Sequence, residues 1–209
     1  MLVLGPNMKG KIKNVKSQII NVSLKNIPKL VNLRGRHNLE NIACAMAVAR
    51  ALKVPEAVIK RVVENFKPVA GRLELVKTIK GIEIFNDTNS CTPEATSAAL
   101  KTLGKGKNII LIMGGTDKNL ELKNLVKDIQ KYAKALILIP GNGTDRFANE
   151  ELKVESYKVD NLKQAMRKSL GLASGGEIIL FSPAFTSFGM FQNEYDRGDQ
   201  FMKIVKKLK

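Results

Sequence analysis

From Glu177 to Phe201 the chain reads EIILFSPAFTSFGMFQNEYDRGDQF, an apolar run that passes through a small polar turn into a charged segment with helical spacing. A continuous apolar run of this kind is the pattern of a strand buried on both faces, and in an open α/β sheet ligands sit outside the carboxyl ends of such strands. Ser182, Thr186 and Ser187 therefore fall where a small polar ligand is held. Ser and Thr are also common in turns and at helix N-caps, so spacing alone leaves an ordinary strand-to-helix loop as an equal account.

The neighbouring segments give this strand its setting. Ile109–Met113 and Ala135–Ile139 are likewise continuous apolar runs, and helical patterns lie between them. Helices are expected from Pro93 to Leu103, Leu120 to Tyr132, after Gly143, Leu162 to Ala173 and from Met190, with one further strand from Val154 to Lys158. The alternation implies an α/β fold: a Rossmann-like, mostly parallel sheet with helices on both faces. It is fed by a hairpin, RLELVKTI and IEIFND, joined at Lys80-Gly81. Upstream, apolar positions from Leu39 to Leu52 and from Ile59 to Phe66 make a helical hairpin that ends near Lys67-Pro68, with Pro55 opening its second helix. The first thirty residues hold one alternating segment, Gln18 to Leu24, read as a strand or hairpin; a lone hairpin is marginal in water, so it is expected to belong to a larger sheet.

The length of 209 residues suffices to bury roughly 70% of the unfolded surface. No run of 18 apolar residues occurs and the opening MLVLGPNMKG lacks a leader pattern, so a cytoplasmic protein without a membrane partner is expected. Cys44 and Cys91 have no paired spacing, which argues against a disulfide framework or a zinc site. The net charge of +16 invites a nucleic-acid partner. Of 35 basic residues, however, only 8 are Arg, and the lysines are scattered without interleaved aromatics, the pattern of a solvated surface.

Three strands end in small and polar residues: NDTNSCTPEAT from Asn86, GGTDKN from Gly114, and SPAFTSF from Ser182. In a parallel sheet all three emerge on one edge. Gly114-Gly115 permits close backbone approach, Lys118 offers a mobile ammonium, and the hydroxyls of Thr88, Thr92 and Ser187 can orient carboxylate oxygens, so the edge suits an acidic small molecule. The GNGTD loop from Gly141 reads equally well as a turn. At Arg34, RGRHNLEN places His37 and Asn38 at a helix start with Asn41 one turn on; Asn38 is read as the cap, or the two Asn as contacts for a nucleotide base. There is no GxxxxGK[ST] loop, HExxH or GxSxG elbow, and a single His rules out a multi-histidine metal site.

The segments GRHNLEN, GRLELV, NDTxxxTPEAT, GGxDK and SPAxxSFxxFxNxxxRGDxF, in this order from about Leu33 to the C-terminus, resemble the Mur ligases. The last is similar to the D-glutamate-adding branch, and the DNPR signature of the diaminopimelate-adding branch is absent. The resemblance implies an ATP-dependent amide ligase that adds D-glutamate to UDP-N-acetylmuramoyl-L-alanine in peptidoglycan precursor synthesis through an acyl phosphate. Its cofactors would be ATP and Mg2+, with the metal ligands mainly in a part not in this chain. Residues 1–69 would be the C-terminal part of the central ATP-binding domain and 70–209 the C-terminal domain. The partners would be the two small-molecule substrates and no nucleic acid, the complete enzyme a monomer, and this chain alone inactive.

By position, Asn38 and Asn41 match adenine contacts, Arg72 and Asp87 match residues near the phosphates and ribose, and Lys118 matches the lysine on a D-glutamate carboxylate. Ser187 and Phe188 match the holders of its other carboxylate. Asn89 stands where the family has lysine, and Cys91 where it has a substrate-binding threonine that Thr92 could replace. Gly71 precedes Arg72 in place of a histidine, and Glu194, beside Tyr195, replaces an aromatic pocket residue. The departures leave a ligase of altered amino-acid specificity as one alternative, and the non-enzyme alternative is a basic α/β module that binds nucleotides or nucleic acid.

Overall fold

The computed structural model describes residues 2–5, 8, 16, 18–25, 27–28 and 34–208. The chain divides into two compact units, Met1–Pro68 and Val69–Lys209.

In the first unit β1 (Leu2–Leu4) pairs with β2 (Ile19–Asn21) in parallel, Leu2 opposite Ile19 and Leu4 opposite Asn21. Of the two readings of Gln18 to Leu24, strand or hairpin, the strand holds, since a tight turn can join only antiparallel strands whereas parallel neighbours need a crossover. Helix α1 (Arg36–Ala51) buries Ala43, Met46 and Ala47, and α2 (Glu56–Glu64) buries Ile59. Their apolar positions recur at three and four residues, as a one-sided helix requires. The first helix starts two residues earlier than expected, behind Gly35 at φ 99°, and Asn38 is not its cap. The Asn38 amide instead donates back to the Arg34 carbonyl at 2.7 Å.

The second unit continues with β3 (Glu74–Ile79), β4 (Ile82–Asn86), α3 (Pro93–Leu103), β5 (Ile109–Met113), α4 (Lys123–Tyr132) and β6 (Ala133–Leu138). Then come α5 (Asn142–Phe147), β7 (Glu155–Lys158), α6 (Leu162–Leu172), β8 (Ile178–Phe181) and α7 (Glu194–Lys206). The sheet runs β3-β4-β8-β5-β6-β7, parallel throughout except for the β3–β4 hairpin. That hairpin turns at Lys80 (φ 49°) and Gly81 (φ 80°), the two left-handed residues that match the twist of paired strands.

The pleat distributes the apolar runs to two cores. On one face Phe85, Leu111, Met113 and Leu180 pack with Leu100 and Leu103 of α3 and Leu125 and Ile129 of α4. On the other Ile84, Ile112, Ile137 and Phe181 pack with Ala165 and Met166 of α6 and Phe201 and Val205 of α7. Phe181 and Phe201 stack with centroids 4.6 Å apart. All five residues of β5 are buried, which is why its sequence shows no alternation.

Two helices start later than their apolar spacing indicates. For α4 the reason is that the Leu120 carbonyl accepts from Arg146 Nη2 at 3.0 Å and is held out of the helix. For α7 it is Asn193, extended, whose side chain caps the Asp196 amide at 2.9 Å, after a turn through Gly189 at φ 99°. Leu111→Ala, in the centre of the sheet, is expected to lower the unfolding free energy by about 2–5 kcal/mol in denaturant titration of this chain.

Candidate functional site

The return of β8 between β4 and β5 brings the ends of three adjacent parallel strands together. From β4 the Asp87 amide donates to the Phe181 carbonyl at 2.8 Å, and from β5 the Gly114 amide donates to the Pro183 carbonyl at 2.9 Å. Asp87, 4% exposed, is the node between them. Its carboxylate accepts from the Leu73 amide at 2.9 Å, the Ser90 hydroxyl at 2.6 Å and the Ser182 hydroxyl at 2.7 Å. Ser182 also meets the Thr96 hydroxyl at 2.9 Å, which carries the network onto α3. A buried carboxylate is tolerated when its lone pairs are filled in this way.

Glycines set the distance between the β5, β6 and β8 loops. A Cβ on Gly115 (φ +135°) would lie 2.1 Å from the Thr186 carbonyl oxygen, and one on Gly141 (φ +148°) 2.2 Å from the Gly115 oxygen. The close approach that Gly114-Gly115 permits is therefore to the protein's own backbone. The contact brings Thr116 and Thr186 into a two-way bridge, each amide donating to the other's carbonyl at 3.0 Å. Beside it Arg146 Nη1 reaches both Asp117 carboxylate oxygens, at 3.0 and 2.9 Å, and the Asn142 side chain accepts from the Asp117 amide at 2.9 Å. A planar guanidinium on a carboxylate fixes the GGTDK loop in orientation.

That bridge displays Lys118 and Ser187. Lys118 is exposed and makes no hydrogen bond or ion pair with the described residues. Ser187 is 3% exposed, and its hydroxyl is likewise without a partner among them. Phe188 is 62% exposed, with its carbonyl taken by the Thr116 hydroxyl.

The other hydroxyls expected to orient a ligand are already used. Thr88 Oγ1 accepts from Arg197 Nε at 3.1 Å and donates to the Glu194 carbonyl at 3.4 Å. Thr92 Oγ1 caps α3 by accepting from the Ala95 amide at 3.3 Å, a job that leaves it one donor proton. Ser182 and Thr186 are bound to Asp87 and to the Thr116 carbonyl. Asn89 reaches the Ala70 carbonyl at 3.0 Å, while its own side-chain oxygen is buried without a partner among the described residues. Arg72 is exposed at the entrance to β3. Asn38 and Asn41 lie together on α1 of the first unit, three residues apart on one helical face.

Sequence reading overlooked Arg197. Its side chain is fully buried and makes four bonds: Nε to Thr88 Oγ1, Nη1 to the Phe185 carbonyl at 3.1 Å, and Nη2 to the Thr88 carbonyl at 2.7 Å and to Cys91 Sγ at 3.1 Å. Burial pushes the guanidinium below its ordinary value, opposed by the Cys91 sulfur and then by the Glu194 carboxylate. Cys91 is thereby turned toward Arg197. The available signal was an Arg beside Gly198 in α7: a Cβ there would lie 2.8 Å from Thr88 Cγ2, so the helix approaches closely enough for its arginine to cross beneath the β4 loop. No three His, Cys, Asp or Glu side chains among the described residues come together to hold a metal ion.

Comparison with known proteins now defines the class. Residues 71–185, more than half the chain, match the family model described as Mur ligase, glutamate ligase domain. The chain belongs to the Mur ligase family. Within that family it is 40% identical over 182 residues to the UDP-N-acetylmuramoylalanine–D-glutamate ligase of Roseiflexus sp. (strain RS-1), covering 84% of this chain and 38% of the relative. It is 41% identical over 151 residues to the enzyme of that name from Borreliella afzelii (strain PKo), covering 71% and 33%. The chain thus spans well under half the length of these relatives. Among solved structures, MurF ligase from Thermotoga maritima, in complex with ADP, superposes with a TM-score of 0.61 at 20% identity, over 84% of this chain and 39% of that one.

Because the Gly115 contact sets the loop spacing, Gly115→Ala is expected to destabilise the second unit by more than about 3 kcal/mol, beyond the usual range for point substitutions. Thermal unfolding checks this, and a melting temperature within a degree of the parent would refute the packing described.

Proposed function

We propose that this chain is the part of a D-glutamate-adding Mur ligase that grips the amino acid. The second unit acts as the C-terminal domain and the first as the end of the central ATP-binding domain. In the reaction, ATP phosphorylates the carboxylate of UDP-N-acetylmuramoyl-L-alanine and the D-glutamate amine attacks the acyl phosphate, forming the amide as phosphate leaves. The observation that carries this reading is the pair of unpartnered polar groups at the Thr116–Thr186 bridge. A mobile ammonium, Lys118, and a hydroxyl, Ser187, stand on rigid loops at the end of a parallel sheet, a fit for an acidic amino acid.

In the first unit Asn38 and Asn41 of α1 are the candidates for an adenine edge; in the second unit, taken separately, Arg72 is a candidate for a phosphate contact. Asp87 would serve the nucleotide by fixing the loop that begins at Thr88, since its own carboxylate already accepts three bonds. Cys91 and Thr92 would shape the amino-acid pocket from the β4 side, and Phe188 would cover it. Magnesium would supply charge neutralisation at the phosphates. Its ligands would lie mainly in a part of the enzyme outside this chain. Domain closure would align amine and acyl phosphate and exclude water.

The proposed partners are small molecules. The paired lysines Lys60, Lys101, Lys134 and Lys158 lie on α2, α3, β6 and β7, each beside a carboxylate, which fits a solvated surface. No helix among the described residues is long and apolar enough to cross a membrane. A second reading keeps the ligase and changes the amino acid. It is favoured by Asn89, tied to the Ala70 carbonyl where the family resemblance leads one to expect a lysine, and by Glu194 at the start of α7.

In the complete enzyme, Lys118→Ala is expected to weaken D-glutamate by about 1.5–3 kcal/mol, roughly 10- to 150-fold in apparent affinity, while leaving that for ATP unchanged. Phosphate release at varied D-glutamate measures it, and an unaltered D-glutamate dependence would sink the assignment. The same assay against acidic and neutral D- and L-amino acids separates the two readings.

A further inference from the structure

Arg197 is the one buried guanidinium among the described residues of the second unit, and the atoms it bonds to are two carbonyl oxygens, a hydroxyl and the Cys91 sulfur. No carboxylate among the described residues is hydrogen-bonded to it, although Glu194 lies near enough to act on it through space. A buried cation without a hydrogen-bonded carboxylate is costly, and an anionic ligand nearby would offset part of that cost. Its position says where such a ligand would sit. Through Thr88 and Cys91 it lies against the loop after β4, and through the Phe185 carbonyl it holds the loop after β8 two residues before Ser187. The two walls of the proposed amino-acid pocket therefore share one charge beneath them.

We infer that Arg197 is a specificity-determining residue, whose buried positive charge makes the pocket prefer an acidic amino acid over its neutral isostere. This rests on the reading of the site as an amino-acid pocket. Lys118 and Arg197 divide the work by their surroundings. Lys118 is exposed, so its attraction is screened by water and salt; Arg197 acts through protein, where a charge reaches further and salt screens it less. Arg197 touches no solvent and acts through Cys91 and Thr88, so it is a positioning and field residue and not a ligand contact.

The test compares D-glutamate with D-glutamine in the complete enzyme, reading the ratio of their apparent affinities for parent, Arg197→Gln and Arg197→Lys. Arg197→Gln is expected to cut the parent's preference for the acid by about tenfold or more, the scale of a charged hydrogen-bonded group, and Arg197→Lys to keep most of it. A purely structural arginine would weaken both ligands alike and leave the ratio unchanged, which overturns the inference while leaving the pocket reading intact. A parent enzyme without preference for the acid overturns the pocket reading, and the inference with it. Should Arg197→Gln not fold, Lys118→Ala decides: removal of the exposed charge is expected to leave an acid preference of about fivefold that changes little between low and high salt. Loss of all preference in Lys118→Ala overturns the inference.

Discussion

The hydrogen bond from Ser182 to Asp87, 2.7 Å long and sealed from water, is the contact on which the site depends. It joins the ends of β8 and β4, which lie 95 residues apart in the chain. Because the Asp87 carboxylate also holds the Leu73 amide and the Ser90 hydroxyl, three segments share one anion. In a low-dielectric interior such a node is strong when every lone pair is met and costly when one is left open. The loops after β4 and β8 therefore cannot shift independently. Everything downstream, from the Thr116–Thr186 bridge to the display of Ser187, inherits that registration.

A division of labour follows between groups spent on structure and groups left for a ligand. Thr88, Thr92, Ser182 and Thr186 are committed to internal partners, and Gly114 and Gly115 to backbone contact. Among the polar groups expected to meet a carboxylate, Lys118 and Ser187 are the two without a side-chain partner among the described residues. Arg197 closes a second network between the loops after β4 and β8, in which no carboxylate among the described residues is hydrogen-bonded to it. Rigid loops with a few unspent groups are the arrangement that binding requires, since groups already held in place lose little freedom when the ligand arrives.

Much of the architecture was legible in the sequence. Continuous apolar runs at Ile109–Met113 and Glu177–Phe181 announce strands buried on both faces, and Pro93 after Thr92 marks a helix start, because these patterns follow from local geometry and burial. The convergence of three strand ends was likewise implied by parallel topology. Element starts were less legible. Met190 and Leu120 have helical spacing, yet the helices wait for Asn193 and for residues past Leu120, since a distant arginine claims the Leu120 carbonyl. The Leu2–Leu4 strand was too short to register by alternation, and its parallel pairing with Ile19–Asn21 depends on a partner that the segment itself does not name.

By itself, then, the sequence determined the layers of the second unit, the edge of the sheet where polar residues gather, and the family resemblance from which roles for those residues were expected. Periodicity and turn chemistry are local, and motifs are read in order along the chain. The tertiary structure alone decided which of the polar residues are free. Whether Thr88 orients a ligand or an arginine, whether Cys91 faces the pocket or Arg197, and whether a glycine makes room for a substrate or for a neighbouring carbonyl all turn on contacts between residues tens of positions apart. Hydrogen bonds are exclusive and short in range, so a donor's availability is fixed only when the fold has brought its competitors within 3 Å or so.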